Sequence, residues 1–238
     1  MFELEDHHWW FQGRLAVVTR LLERYAPGSA EGPARLLDLG CGTGMFLTRQ
    51  GDGRLGFGLD VSLRALGYTR RRGLKRLVCG DSQALPFKGD CFDIVTAFDT
   101  IEHVEADAQM IGEAHRVLRP GGLLLATVPA HPALWSGHDV ALHHKRRYRR
   151  REFERLFDPR RWIDRRTTYT FAAIAPAAAV IRSLRRRFPR PGGDMADTHP
   201  TAPWLNRTLL AWHRAEAAWL ARFDLPFGLS ILTLREKK

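Results

Sequence analysis

The strongest indication of the fold is the segment Leu36-Leu37-Asp38-Leu39-Gly40-Cys41-Gly42-Thr43-Gly44. The apolar run Arg35–Gly40 predicts a buried parallel strand, and the glycines at its end let the backbone turn sharply and approach a ligand. A helix is expected from Thr43 to about Gln50. Asp38 stands at the carboxyl end of the strand, where a carboxylate faces a bound cation more naturally than a pyrophosphate. The stretch therefore predicts a strand, a tight turn and a helix around a small ligand.

Strand and helix signals alternate outward from this stretch. Further strands are predicted at Leu55–Asp60, Arg76–Gly80, Phe92–Phe98, Gly122–Val128, Thr167–Phe171 and Leu229–Leu234. Helices are predicted from the N-cap Ser62 to Gly73 and over residues 105–118, the second closed by the turn Arg119-Pro120-Gly121-Gly122. Repeated β-α-β units predict an α/β fold: a Rossmann-like seven-stranded, mostly parallel sheet with helices on both faces and a helical insertion between the last two strands.

The chain is predicted to form a single domain over residues 1–238. Residues 1–34 are expected to be a helical and aromatic cap, 35–130 the cofactor-binding core and 172–226 the helical insertion. The insertion is interpreted as a substrate lid, a membrane-docking surface or a dimer contact, and the sequence does not choose among these.

Three segments around the insertion differ in character. Phe171–Ile181 is apolar but too short for a membrane span, which needs ~20 residues. Pro189–Pro203 is expected to be a mobile loop. A helix is predicted from Trp204 to Phe223, with its apolar residues on roughly one side: Leu205, Leu209, Trp212, Trp219, Leu220 and Phe223.

The formal charge of +11 is concentrated in the second half of the chain. Basic runs at residues 145–151 and 182–187 would attract anionic membrane surfaces, nucleic acid or phosphorylated substrates, although a solvated arginine surface is an equally good interpretation. The three cysteines follow no pairing pattern, and the acidic, aromatic N-terminus does not resemble a signal peptide. A cytoplasmic protein, peripheral at the inner membrane face in one interpretation, is expected.

Two more acidic residues end predicted strands. Asp60 comes twenty residues after Gly40 and can accept hydrogen bonds from both hydroxyls of a ribose. Asp81 ends the third strand and can accept from the exocyclic amine of adenine. With Asp38, the three acids suit a positively charged nucleoside.

Six motifs in order across residues 35–130 resemble the class I S-adenosylmethionine-dependent methyltransferases, in their type 11/12 small-molecule branch. They are Leu37–Gly44, Leu59-Asp60-Val61-Ser62, Gly80-Asp81 with Leu85-Pro86-Phe87, Phe92-Asp93-Ile94-Val95, Glu102-His103-Val104 and Leu118-Arg119-Pro120-Gly121-Gly122. The resemblance implies S-adenosyl-L-methionine as the cofactor.

The resemblance also implies which residues hold this cofactor. Its methionine moiety is lined by Asp38, Gly40, Cys41, Gly42 and Gly44, its ribose is held by Asp60 with Val61 in the same motif, and its adenine is contacted by Asp81 and Ser82. Phe98 would lie against the cofactor, and Arg14, in an aromatic N-terminal cluster, near its carboxylate.

Two histidines are candidates for the catalytic base. His103 follows the fourth strand and His138 the fifth, so both are expected at the carboxyl edge of the sheet. In quinone-type O-methyltransferases, which look similar here, acidic residues of the loop after the fourth strand can help to hold a divalent cation. In this sequence the residues that match those cation ligands would be Asp99, Glu102 and His103, but so small a cluster is weak evidence for a metal site. The histidines that follow the fifth strand fit no standard spacing of zinc ligands. No metal site is predicted.

The loop after the fifth strand is expected to bind the substrate, an anionic or hydroxylated molecule, through Trp135, His143, Arg147 and Tyr148. The favoured function is O-methylation of a small-molecule or lipid-linked acceptor. One alternative is an RNA or protein methyltransferase, although no Asn/Asp-Pro-Pro-Tyr motif follows the fourth strand and nucleic acid is the less favoured partner. An NAD-dependent oxidoreductase is disfavoured by the GxGxG pattern and by Asp38. A non-catalytic cofactor-binding module is the remaining alternative.

Overall fold

The computed structural model describes residues 2–26, 32–51, 53–187 and 201–238. Its strands are β1 Ala34–Leu39, β2 Arg54–Asp60, β3 Leu77–Cys79, β4 Phe92–Phe98, β5 Leu118–Pro129, β6 Trp162–Thr170 and β7 Ser230–Lys237. They form one sheet in the order β3-β2-β1-β4-β5-β7-β6. The strands β1 to β5 are parallel, and β7 runs antiparallel between β5 and β6. The predicted seven-stranded, mostly parallel sheet is confirmed.

Eight helices surround this sheet in the described part of the chain. They are α1 Phe2–Glu5, α2 Trp9–Tyr25, α3 Leu63–Arg71, α4 Asp107–Val117, α5 Gly137–Ala141, α6 Arg150–Glu154, α7 Ala175–Arg187 and α8 Pro203–Leu220. The helices α2, α3 and α8 share one apolar core with one face of the sheet, and α4 and α6 share another with the opposite face. Adjacent residues of the central strands alternate between the two cores, as Leu36 and Leu37 do. Both faces of the sheet are therefore covered.

The helix expected from Thr43 to Gln50 is replaced by turns and a short 3-10 segment, Leu47–Arg49. Gly44 and Gly51 have φ angles of 79° and 64°, which lie in the left-handed region. The two glycines leave too few residues between them for a regular α-helix to form.

The turn predicted at residues 119–122 lies inside β5, which begins at Leu118 instead of Gly122. Its pairing with β4 shifts register between Phe92 and Ile94, and Gly121 has a φ of 75°. The extra residues therefore form a bulge in the strand instead of a separate turn. The strand β6 also begins earlier than predicted, at Trp162.

The insertion between β6 and β7 contains α7 and α8. The face of α8 that meets α2 carries His213, Ala217 and Leu220, which are buried. Trp212 and Trp219 are 60% and 53% exposed. The predicted single apolar side is therefore wrong, because the smaller side chains pack inward while the tryptophans face solvent.

Two predictions for the insertion fall largely outside the described residues. The expected mobile loop Pro189–Pro203 is described only from residue 201, and in the basic run 182–187 the side chains of residues 183, 185 and 186 are not described. Among the described helices, none combines the length and the apolar character needed to cross a bilayer.

Candidate functional site

A cavity of about 520 Å³ lies at the carboxyl edge of the sheet, beside the ends of β1 and β4. The chain leaves β1 toward β2 on one side and reaches β4 and β5 on the other, so the direction of strand order reverses here. Open α/β sheets bind their ligands at this kind of position. Residues from α2, the glycine turn, the loops after β4 and β5 and the segment that contains α7 line the cavity.

The glycine turn forms one wall of the cavity. Gly40 and Gly42 have φ angles of 68° and 55°, and both line the cavity. A Cβ on Gly40 would lie 2.5 Å from the hydroxyl of Thr100, whereas a Cβ on Gly42 would meet no protein atom within 4 Å. Gly42 therefore exposes its backbone to open space where a ligand can approach, and Gly40 is required by packing.

Asp38 and Asp60 lie on either side of this turn. Asp38 is buried and accepts a hydrogen bond of 2.7 Å from the Thr96 hydroxyl. Burial raises the pKa of Asp38 to about 7, against the opposing effects of that hydrogen bond and of the Arg14 charge. The Asp60 carboxylate accepts from the backbone N–H of Gly42 at 2.9 Å and from that of Ser62 at 2.8 Å. Its oxygens therefore fix the turn and still face the edge of the sheet.

The other predicted cofactor residues fall into two groups. Cys41, Phe98 and Arg14 line the cavity. Val61, Asp81 and Ser82 follow β2 and β3 at the same edge but lie outside the cavity, as does Asp60. Val61 is 72% exposed, and the carboxylate of Asp81 accepts from the Gln83 backbone N–H at 2.8 Å.

Gly44 does not reach the cavity. A Cβ at this position would lie 2.5 Å from the Thr69 side chain and 2.9 Å from Leu74. Gly44 therefore allows the turn to pack against α3, and the structure does not place it among the residues that line the cavity.

Arg14 joins the N-terminal helix to the loop after β4. Its guanidinium donates to the Asp99 carboxylate at 2.5 Å. The other oxygen of Asp99 accepts from the Thr127 hydroxyl at 3.0 Å. Asp99 is thus fully engaged, and Arg14 lies at the cavity with its charge partly neutralised.

The loops after β4 and β5 bring three histidines and a glutamate to the cavity. They are Glu102, His103, His138 and His144. Burial, and secondly the charge of His144, lowers the pKa of His103, so its imidazole stays neutral near neutral pH. Burial raises the pKa of Glu102 well above its usual range, and the charge of Asp99 adds to that effect. Both predicted catalytic histidines therefore lie at the cavity.

Asp139 organises the loop after β5 from a fully buried position. Its carboxylate forms a capping box with Ser136 at the start of α5. One of its oxygens contacts Nδ1 of His144 at 2.9 Å and accepts from Nε of Arg147 at 2.7 Å. Although burial acts in the opposite direction, these partners hold the pKa of Asp139 below its usual range. This network turns the imidazole of His144 toward the cavity.

Of the four predicted substrate residues, only Arg147 lines the cavity. Its guanidinium is bound to Asp139 and to the main-chain oxygen of Ala130, so it supports the loop instead of meeting the cavity with free donors. Tyr148 packs in the core on the α4 side of the sheet and donates its O–H to Asp107 at 2.9 Å. Trp135 and His143 belong to the same loop but lie outside the lining.

Several lining residues were not predicted from the sequence. His144 stood next to the predicted His143 in a tandem pair, and spacing alone does not tell which of the two turns inward. An apolar wall is formed by Ile174, Ala177 and Ile181 of the segment around α7. Trp10 lines the cavity beside it and stacks on Phe171 with a centroid separation of 4.0 Å.

A methyltransferase domain model, Methyltransf_11, matches residues 37–126, the segment that contains the glycine turn, Asp60 and the loop after β4. Residues 37–126 therefore contain a methyltransferase domain, and this supports the resemblance to the class I S-adenosylmethionine-dependent methyltransferases. The cofactor of this methyltransferase family is S-adenosylmethionine, as the sequence motifs indicated.

Two curated methyltransferases illustrate the similarity. The chain is 31% identical over 141 residues to a protein of Mycolicibacterium smegmatis named as a probable S-adenosylmethionine-dependent methyltransferase. This match covers 58% of this chain and 52% of that protein. It is 38% identical over 102 residues to the ubiquinone/menaquinone biosynthesis C-methyltransferase of Ruegeria sp., covering 38% of this chain and 40% of that protein. The chain thus spans about half or less of the curated relatives it matches.

A solved structure resembles this chain in fold over nearly its whole length. The complex between the Haloferax volcanii Trm112 methyltransferase activator and a methyltransferase contains a chain with a TM-score of 0.61 and 21% identity. The match covers 98% of this chain and 91% of that one. At this identity the likeness concerns the fold alone.

Proposed function

We propose that this protein transfers a methyl group from S-adenosylmethionine to a hydroxyl of a small-molecule or lipid-linked acceptor. The observation that carries the proposal is the two-sided cavity. One wall is the glycine turn beside the buried Asp38, and a second wall presents His103 and His138. A donor on the first wall and an acceptor on the second would meet in one enclosed space.

The residues at the first wall fit the cofactor. Gly42 opens its backbone to the cavity without a side chain, and Asp38 lines the cavity beside it. Asp60 lies outside the lining, and its carboxylate accepts from the Gly42 N–H. We assign Asp38 to the cationic amino-acid part of the cofactor and Asp60 to its ribose hydroxyls. When bound, S-adenosylmethionine supplies a methyl group on a positively charged sulfur. The chain's own contribution is to orient that group toward the histidines and to exclude water.

The histidines at the second wall would supply the base that a hydroxyl acceptor needs. His103 has a lowered pKa and therefore offers an unprotonated ring nitrogen at neutral pH. His138 lies on α5 with its ring centroid 6.3 Å from that of His144. Either His103 or His138 would take the proton of the acceptor hydroxyl as the oxygen gains its methyl group.

The apolar side of the cavity favours an amphiphilic acceptor. Ile174, Ala177 and Ile181 form a continuous wall next to Trp10. On the outer surface, Trp212 and Trp219 of α8 are exposed on a chain whose formal charge is +11. Exposed tryptophans beside basic residues suit the interface of an anionic membrane. We therefore propose that the acceptor is drawn from a lipid surface on which the insertion rests.

The test of cofactor use is selective binding. Purified protein is titrated with S-adenosylmethionine, its demethylated product and NAD, and only the first two should bind. Asp60→Ala should weaken the binding of both by about 1.5–3 kcal/mol, because a charged hydrogen-bond acceptor is lost. Asp158→Ala, which alters an exposed carboxylate outside the cavity, is the matched control and should leave both affinities unchanged. Tight NAD binding without S-adenosylmethionine binding would refute the proposal.

The test of the acceptor uses S-adenosylmethionine with a labelled methyl group. Incubation with extracts of membrane lipids and small molecules should label an organic-soluble product, and fragmentation of that product should show the label on oxygen. Label on carbon would reproduce the chemistry in the name of the Ruegeria relative and refute O-methylation while leaving methyl transfer intact. Label confined to RNA or protein would refute the proposed acceptor class.

A further inference from the structure

Three side chains at the cavity wall meet around a common point, although they come from two separate loops. Glu102 and His103 follow β4, and His144 follows α5. Each offers one ligand atom, and the three atoms all lie within 4.8 Å of one another. The side chain of Glu102 is completely buried, and neither of its carboxylate oxygens has a hydrogen-bond partner among the described residues.

The other buried carboxylates of the site have donors. Asp38 is bound by the Thr96 hydroxyl, and Asp139 by Arg147 and by the backbone of Ser136. Buried polar groups are nearly always paired, because an unpaired one forfeits its hydration without replacement. The unpaired carboxylate of Glu102 therefore indicates that it binds a partner from outside the protein chain.

The two imidazoles have the support that metal-bound histidines have. Nδ1 of His144 is 2.9 Å from the Asp139 carboxylate, which leaves Nε2 directed at Glu102 at 3.9 Å. His103 has a main-chain hydrogen-bonding partner at His143, and its ring stands at 83° to that of His144. A carboxylate or carbonyl on the outer ring nitrogen is the arrangement that orients a histidine toward a metal ion.

We propose that Glu102, His103 and His144 form a binding site for a divalent transition-metal ion. Two imidazole nitrogens and one carboxylate favour an ion of the Zn²⁺ and Fe²⁺ class over Mg²⁺, which prefers oxygen ligands. A tetrahedral Zn²⁺ holds its ligand atoms about 3.4 Å apart, so side-chain shifts of about 1 Å would close the site. Asp99 is not a ligand, because Arg14 and Thr127 already occupy its carboxylate.

An ion with three protein ligands would keep a position open for a further ligand, and all three of these residues line the cavity. The open position would hold an oxygen of the acceptor, an assignment that rests on the proposed function. With His103 bound to the ion, the base of the proposed reaction is His138. The site itself rests only on the geometry of the three ligands.

The test is direct metal binding by the full chain, prepared without a histidine tag and stripped with a chelator. Titration with Co²⁺, followed by its ligand-field absorption, should show one equivalent bound, and Zn²⁺ should displace it. Glu102→Gln, His103→Gln and His144→Gln should each weaken binding at least about 100-fold, since each removes a ligand. His115→Gln, which alters a histidine outside the cavity, is the matched control and should bind as the unmodified protein does.

Affinity for S-adenosylmethionine and the thermal unfolding transition, measured on the same samples, show that the variants are folded. The inference is overturned by an unmodified protein that binds neither Co²⁺ nor Zn²⁺, or by binding that the three ligand variants leave unchanged. An equal loss in His115→Gln would assign the ion to surface histidines and also overturns it. Metal binding without S-adenosylmethionine binding would refute the proposed function and leave the metal site standing.

Discussion

Asp38→Asn isolates the pH dependence that a buried carboxyl imposes on the stability of this fold. The substitution keeps an oxygen that can accept the 2.7 Å hydrogen bond from Thr96 and removes the titration. The pKa of Asp38 is raised by burial from 3.8 to about 7 in the folded protein. Between these two values the unfolded chain has lost the proton while the folded protein keeps it, so the free energy of unfolding falls as pH rises.

The expected magnitude follows from the width of that window. From pH 5 to pH 7 each pH unit costs the unmodified protein about 1.4 kcal/mol relative to Asp38→Asn, and above pH 7 the difference becomes constant. Between pH 5 and pH 8 the stability of the unmodified protein should therefore fall by about 2.5 kcal/mol more than that of the variant.

Urea unfolding at pH 5, 6, 7 and 8, with the two proteins compared at each pH, measures this difference directly. A cationic ligand next to Asp38 favours its ionised form, so affinity for S-adenosylmethionine should increase with pH through about 7 in the unmodified protein and stay flat in the variant. A stability difference that does not change between pH 5 and pH 8 would refute the assignment of a buried, neutral Asp38.

Four further outcomes are expected. Gly40→Ala should lower the free energy of unfolding by about 2–4 kcal/mol in a denaturant titration, because this residue has a φ of 68° and the new Cβ would lie 2.5 Å from the Thr100 side chain. Burial lowers the pKa of His213 to about 4, so on acidification the unfolded chain binds a proton at this histidine before the folded protein does. The free energy of unfolding should therefore fall by about 2 kcal/mol between pH 8 and pH 5 in the unmodified protein, and His213→Leu should abolish this decrease. Trp212→Ser combined with Trp219→Ser should weaken sedimentation with anionic vesicles by about tenfold, and equal binding to neutral vesicles would argue against a charged interface. His138→Gln should lower turnover by ~10²–10⁴ with an unchanged affinity for S-adenosylmethionine, and an unchanged turnover would exclude it as the base.

The sheet could be predicted because its information is local. Each strand is a short apolar run with a turn at its end, and the run at residues 36–44 carries its own glycines. The failed helix after Thr43 shows the limit, since Gly44 and Gly51 each adopt a positive φ and leave no room for a regular helix. The helix propensity averaged over a segment does not reveal which of its glycines adopt a positive φ.

The site was predictable only in part, because its second wall depends on contacts between distant residues. His103 and His138 could be placed at the edge by the strands they follow. His144 reaches the cavity only because Asp139, buried and held by Arg147, fixes the loop between them. The outward tryptophans of α8 follow likewise from its partner α2, which accepts His213 and Leu220. No local pattern records such pairings.

The ends of β6 and β7 meet at one point, so the insertion is joined to the sheet at a single place. Thr170 is paired with Ser230, and a Cβ on Gly228 would lie 2.2 Å from the Thr170 carbonyl oxygen. Everything between them leaves and re-enters the sheet through this closed junction. A replacement for the insertion would therefore have to keep Gly228 at the junction and also supply the apolar surface that Ala217 and Leu220 of α8 give to α2 and to one face of the sheet.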